Sequence, residues 1–314
     1  MTYKNKLIIL LSLIAFMALL YAASFIFNYD RNSAISSSYA WLDFNSAEKI
    51  SRISIDNGYE KYELVKKNSL WFIIFYGNEF PARALRVQDF ISIFTTRSSW
   101  HVRSASASSH ERFGLGEDAA RITFYGEYSV ILDLLLGDYD NMGSDAYFRR
   151  VGQNEVRSGG SGIYAYVLGS VTSWYNLRLI PQSADGGVTA ESVQRLTVYN
   201  EGKTYTYTRK GRTWDITGAD VENPDVSGIE NYINIILNSE GEDFLDSAAA
   251  SGLTFDYSSI VVELGNGGSM TIRMSAPDEN DRRYAQVNGG NLTYAVPLWA
   301  AERVFRDASG FEML

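Results

Sequence analysis

"KKNSLWFI", residues 66–73, sets two lysines, a turn and a tryptophan at the head of a strand. "RKGRTWDI", residues 209–216, repeats that order of basic pair, turn, tryptophan and strand. Trp214 follows Trp71 by 143 residues. A single tryptophan pair could be coincidence, so the flanking segments decide whether the chain is one unit used twice. Before Trp71, "RISIDNG" (52–58) alternates like a strand and ends in the hairpin dipeptide Asn57-Gly58,. "YEKYELVKK" returns as a second strand, and "LWFIIFY" (70–76) forms the third. Val87, Phe90, Ile91 and Phe94 then fall at i, i+3, i+4 and i+7, one apolar face of a helix,.

The second copy follows the same order. "VQRLTVYNEG" (193–202) is a strand ending in a turn, "KTYTYTRK" returns, and "RTWDI" is the third strand. Ile229, Tyr232, Ile233, Ile236 and Leu237 mark one helical face, and Ser227 with Glu230 has the spacing of a capping box,. Beyond the first helix, "ARITFYG" (120–126) and "SVILDLLLG" (129–137) pair as a hairpin, "AYFRRVG" (146–152) adds a strand, and "GIYAYVLGSVTSWY" (162–175) is expected as a strand running into a short helix. Val87 aligns with Ile229, Gly114-Leu115 with Gly252-Leu253, "ITF" at 122 with "IVV" at 260, Tyr147 with Tyr284, and "IYAYVL" (163–168) with "TYAVPL" (293–298). These offsets shrink in order from 143 to 130, as loop insertions and deletions would produce,. The sequence therefore predicts an α+β chain: an N-terminal transmembrane helix, then two tandem homologous units of antiparallel sheet, each with one longer and one short helix. The expected boundaries are 1–28 for a cytoplasmic tip and anchor, 29–49 for a linker, 50–182 for the first unit and 183–314 for the second.

The anchor rests on "LIILLSLIAFMALLYAASFIF" (7–27), a run without a charge. At about 1.5 Å per residue it spans roughly 30 Å, the thickness of a bilayer's hydrocarbon core. Lys4 and Lys6 precede it, which favours a cytoplasmic N-terminus and an exported body,. A cleaved signal peptide is the competing reading, since "AAS" (22–24) supplies small residues, although "FIF" continues the apolar run; a buried core helix is a third, disfavoured by the charge-free run at the extreme N-terminus,. "NYDRNSAISSS" (28–38) has the composition of a polar linker,. The expected location is the bacterial inner membrane, single-pass, with the bulk of the chain extracytoplasmic.

Composition bounds the chemistry. The 314 residues include 46% hydrophobic and 14% aromatic side chains, with 21 Tyr, a strand-favouring globular balance,. The net charge of −9 lacks a basic cluster and argues against a nucleic-acid partner,. The absence of Cys excludes disulfides, zinc–thiolate sites and thiol catalysis,. His101 and His110 have no counterpart in the second copy and lack the spacing of a metal pair,. "GDYDNMGSD" (137–145) begins like a calcium loop, but Met142 and Arg149 occupy ligand positions,. The matching "PDENDRR" (277–283) is also acidic, and both suit hairpin turns,. "SGGSG" (158–162) and "GNGGS" (265–269) fit neither glycine-rich nucleotide motif and are expected as turns,. Trp71 and Trp214 suit core or sheet-face packing ahead of ligand stacking,. No catalytic, cofactor-binding or metal-binding residue is assigned, and no cofactor is expected.

The two tryptophan strands, the helices "VQDFISIF" and "IENYINIIL", "FGLG" (113–116) with its echo "SGL" (251–253), and "LLLGDYDNMGSDAYFRR" (134–150) together resemble the bacterial domain-of-unknown-function family 4340. The second copy departs from the pattern: "IRMSAPDENDRRYAQV" lacks the glycine and has Gln286 where Arg149 stands. The resemblance implies a membrane-anchored protein associated with ABC transport systems of the gliding-motility type, so the lipid bilayer and transporter subunits are the expected partners. It assigns no catalytic residue. Three functions follow as expectations: a non-enzymatic accessory protein of an envelope transporter, an envelope glycan- or peptide-binding module, or an envelope hydrolase using carboxylates.

Overall fold

A computed structural model describes residues 16–17, 21, 38–140, 143–180, 188–245 and 250–312. Apart from 16–17 and 21, the apolar segment 7–27 lies outside the described residues, and no described helix is long and apolar enough to cross a membrane. The polar segment 28–37 also lies outside them. The chain forms two antiparallel sheets with few helices. Its contacts divide it into two compact units: 1–66, 74–77 and 84–173 form one, while 67–73, 78–83 and 174–314 form the other.

The nine-stranded sheet contains β1 (Arg52–Asp56), β2 (Lys61–Lys67), β3 (Leu70–Phe75), β4 (Asn78–Pro81), β5 (His101–Ser104), β6 (Ala120–Tyr125), β7 (Val130–Tyr139), β8 (Ala146–Arg150) and β9 (Val156–Gly159). Their spatial order is β4-β3-β2-β1-β6-β7-β8-β9-β5. The eight-stranded sheet contains β10 (Val193–Asn200), β11 (Lys203–Lys210), β12 (Thr213–Thr217), β13 (Asp243–Leu245), β14 (Ser258–Leu264), β15 (Ser269–Met274), β16 (Arg282–Val287) and β17 (Thr293–Pro297). Its order, β12-β11-β10-β14-β15-β16-β17-β13, is that of the first sheet without β4. Register agrees as well as order. Ile122 opposes Leu134 and Leu136 opposes Phe148; 138 or 137 residues later, Ile260 opposes Ile272 and Met274 opposes Ala285.

One long helix accompanies each sheet. In α2 (Ala84–Thr95), which follows the short α1 (Phe44–Glu48), the buried residues are Val87, Phe90 and Phe94, while Ile91 sits half-buried at the edge of the stripe. Phe90 stacks on Phe124 of β6 at 5.9 Å between ring centroids, and Phe94 meets Phe124 and Phe148 edge-on. In α4 (Val226–Leu237), preceded by α3 (Tyr164–Val167), the buried stripe is Ile229, Tyr232, Ile233, Ile236 and Leu237. Tyr232 packs on Tyr207 of β11, and its hydroxyl donates to the Val304 carbonyl at 2.6 Å. Burial raises the Tyr232 and Tyr207 phenols well above their ordinary range,. The expected capping box does not form. Asp225 stands at the N-cap without a side-chain bond, and Glu230 turns to Arg209, 3.2 Å away.

Several other expectations are corrected. Residues 162–175 contain no strand: Ile163, Tyr164 and Val167 are buried at helical spacing, and α3 forms there,. The strand lies just upstream as β9, so the structural partner of β17 is 156–159 rather than 163–168. Gly159 and Gly160 are not merely a turn. A Cβ on either would come within 2.8 or 2.7 Å of the Trp100 indole, which their bare backbone accommodates. Within the stretch expected as a linker, Trp41 and Leu42 are buried, and the Leu42 N–H donates to the Phe94 carbonyl at 3.0 Å. The Asn57-Gly58 turn is longer than a two-residue hairpin. The Asn57 side chain accepts from the N–H groups of Tyr59 and Glu60 and donates to the Val167 carbonyl.

The second unit carries a buried cation where the first has an alanine. Arg283, only 4% exposed, stands 137 residues after Ala146. Its guanidinium donates to the Ser275 carbonyl and the Ser258 hydroxyl, and lies over the Tyr257 and Phe305 rings. Desolvation lowers its proton affinity,. Near the C-terminus, α5 (Leu298–Val304) is followed by Asp307, which accepts from the Ser309 N–H and hydroxyl and from the Tyr205 hydroxyl.

Two predictions follow. Phe90→Ala should cost about 3–5 kcal/mol in urea unfolding, as expected for an aromatic removed from a closed core; a loss below about 1 kcal/mol would sink the packing role. The Asp307 bonds, the Ser309 N–H foremost, hold its carboxyl well below the ordinary value of 3.8. A depressed carboxyl adds stability above its unfolded pKa and loses it as pH falls toward the folded value. Asp307→Asn should therefore melt below wild type at neutral pH, with the gap closing at acid pH. An equal gap at pH 7 and pH 3 would contradict this.

Candidate functional site

The sequence's candidate chemical residues lie mainly in the first unit. His101 is half-buried on β5, its backbone opposite Ser158, and its Nδ1 has no hydrogen-bond partner among the described residues. The His110 Nε2 sits 3.1 Å from the Asn154 carbonyl. His110 also borders an open cleft of about 670 Å³ with Asp56, Glu111, Asp118, Arg121 and Arg149. Its two arginines already have structural partners. Arg121 clasps Asp133 through two bonds of 2.9 and 2.6 Å, and Arg149 donates to the Gln153 carbonyl. Among the described residues no cluster of three or more His, Cys, Asp or Glu could hold a metal ion.

In each acidic turn one aspartate bonds within the turn itself. Asp140 accepts from the Ser144 N–H at 2.9 Å and the Asp145 N–H at 3.2 Å, though residues 141–142 of that loop lie outside the described residues. Asp278 accepts from the N–H groups of Asn280 and Arg282 and from the Tyr284 hydroxyl, and the Arg282 N–H leads in lowering its pKa. Each is an Asx-type device that shapes a β-hairpin.

The glycine motifs also have a local cause. The 113–116 loop lies against Gly137 and Tyr147, where Phe113 meets Tyr147 at 4.6 Å and joins a small core with Leu115 and Val156. A Cβ on Gly137 would lie 2.0 Å from the Phe113 carbonyl oxygen, so that loop can seat only on a bare backbone. The Gly137 carbonyl in turn accepts from the Tyr164 hydroxyl at 2.5 Å. In the second unit Ser275 stands in this place, and its backbone carbonyl takes the Arg283 guanidinium instead.

Sequence reasoning missed a second cleft, which lies in the second unit. A cleft of about 620 Å³ runs along α4 and α5, within the size range of small-molecule sites,. Asn231 and Asn234 line it from α4 and Asn238 from its C-cap, at i, i+3 and i+7 on the face opposite the buried stripe,. Trp299 and Arg303 line it from α5, Trp299 with 62% of its surface exposed. Glu240 completes the rim, its carboxylate held by Arg83 at 3.7 Å and Arg178 at 3.5 Å. The signal was present in "IENYINIIL": its polar face carries asparagines where Lys or Glu would be the usual solubilising choice,. The tryptophans singled out by the sequence serve packing instead. Trp71 and Trp214 are buried, and Arg209 lies over the Trp214 ring at 4.4 Å.

Gly137→Ala tests the loop seating. The added methyl should destabilise the protein by about 1–3 kcal/mol, the usual cost of overpacking, in urea unfolding followed by near-ultraviolet dichroism. An unchanged midpoint would show that the 113–116 loop shifts at no cost.

Comparison with curated proteins and with solved structures returned no match. The family model described as "Domain of unknown function (DUF4340)" matches residues 75–257, from the end of β3 to the residue before β14. That span holds both long helices, the 113–116 loop, the 134–150 stretch and the Trp214 strand. With more than half of its length matched, the chain belongs to this family of unknown function.

Proposed function

We propose that the protein is a non-enzymatic, extracytoplasmic accessory component of an ABC-type transport system in the bacterial envelope, and that it works by recognition. The observation that carries the recognition role is the α4–α5 cleft, which offers an exposed indole, an amide row and a guanidinium on helices held by a closed core. Several other polar groups are engaged in shaping turns or pairing charges, as at Asp140, Asp278 and Arg121. In this reading 7–27 is an uncleaved anchor in the inner membrane, with Lys4 and Lys6 kept in the cytoplasm,. The units 50–182 and 183–314 are tandem copies of one ancestral fold, a reading supported by their shared strand order and register. The ABC subunits as partners rest on the family resemblance. The anchor would hold the cleft near them at high effective concentration.

A reporter active only in the cytoplasm, fused after Leu314, should be silent; full activity would overturn the topology. Crosslinking in native membranes followed by pull-down should recover permease or ATPase subunits. Replacing residues 1–27 by a cleaved signal sequence should weaken function while the melting temperature stays unchanged. Complete complementation by the released form, without transporter subunits in the pull-down, would remove the accessory role.

A further inference from the structure

We propose that the α4–α5 cleft binds an anionic saccharide, a pyranose chain bearing carboxylate or sulfate groups. This rests on the reading of the cleft as a recognition site and assigns its ligand class. Trp299 presents a flat apolar ring beside polar neighbours, the surface that the C–H face of a pyranose covers well,. Each asparagine amide offers both donors and acceptors, which matches the paired hydroxyls of a sugar ring. Asn231, Asn234 and Asn238 are all exposed, and the Asn238 Nδ2 donates to the Asn234 carbonyl, leaving its amide oxygen as an acceptor. A helical i, i+3, i+7 row spans about 10 Å, enough for two consecutive sugar rings.

Charge selects the anionic class. The cleft's carboxylate, Glu240, is bracketed by Arg83 and Arg178, two cations on one anion. Arg303 has no ion-pair partner among the described residues and is exposed beside Trp299. This corner is therefore locally positive on a chain of net charge −9. A planar guanidinium beside an aromatic platform suits bidentate capture of a carboxylate or sulfate on the sugar that stacks there.

The test uses the full chain in a zwitterionic, non-glycosidic detergent, titrated with oligogalacturonate, a sulfated oligosaccharide and maltoheptaose while intrinsic tryptophan fluorescence is followed. At least one anionic oligomer should saturate, and the comparison between the two identifies carboxylate or sulfate as the preferred group. Trp299→Ala should weaken binding about tenfold or more, and Arg303→Gln should do the same while flattening its salt dependence. Both residues are exposed, so melting should be unchanged. The assignment is overturned if neither anionic oligomer binds, if Trp299→Ala binds like wild type, or if maltoheptaose binds as tightly with no effect of Arg303→Gln. Complementation separates the two layers. Loss of cellular function in Trp299→Ala without saccharide binding by wild type discards the ligand class and keeps the recognition site, whereas normal function in that variant discards both.

Discussion

The packing of one amphipathic helix onto one face of an antiparallel sheet governs each unit. Phe90 and Phe94 on Phe124 in one unit, and Tyr232 on Tyr207 in the other, cover the inner sheet faces. Each large side chain withdrawn from water contributes about 1.5–3 kcal/mol. Everything else is arranged around that contact. The strands alternate to present their apolar side to the helix, and the hairpins hold register with residues that accept positive φ, such as Asn68-Ser69 and Glu201-Gly202,. Because α4 spends one face on the core, its other face is rigidly presented, which is what a recognition surface needs.

The legible part of this fold was the part with strong periodicity. The central strands and both long helices follow from alternation and from the 3.6-residue stripe, and their burial matches the expectation at Ile53, Ile55, Ile229 and Tyr232. The edge strands β5 and β13 escaped because they have four and three residues and little alternation to detect. The error at 162–175 has a different origin. "IYAYV" has strand-forming composition, yet the glycines before it are occupied by Trp100, a tertiary contact that local propensity cannot register,. The capping box failed likewise, because Arg209 arrives from β11 to claim Glu230.

For the cleft, the sequence carried the asparagine row but not its setting. Whether three exposed amides form a solvated face or one wall of a cleft depends on α5, which lies more than sixty residues later in the chain. The histidines gave the opposite lesson. Their rarity drew attention, but His110 sits against a backbone carbonyl, and no metal-holding cluster forms among the described residues.

Arg283 bears on how a chain with two sheets of the same strand order avoids confusing them. Equivalent strands in such a chain compete for equivalent places during folding, and exchange between like elements is a characteristic failure of repeated architectures. If β16 entered the first sheet in place of β8, its guanidinium would replace the methyl of Ala146 without the hydroxyl of Ser258 or the rings of Tyr257 and Phe305. An unpaired buried cation costs several kcal/mol, a large share of a domain's stability. The converse exchange would leave Ser275 and Ser258 without their donor. The arginine–alanine difference therefore penalises an exchange of β8 and β16 between the two sheets,.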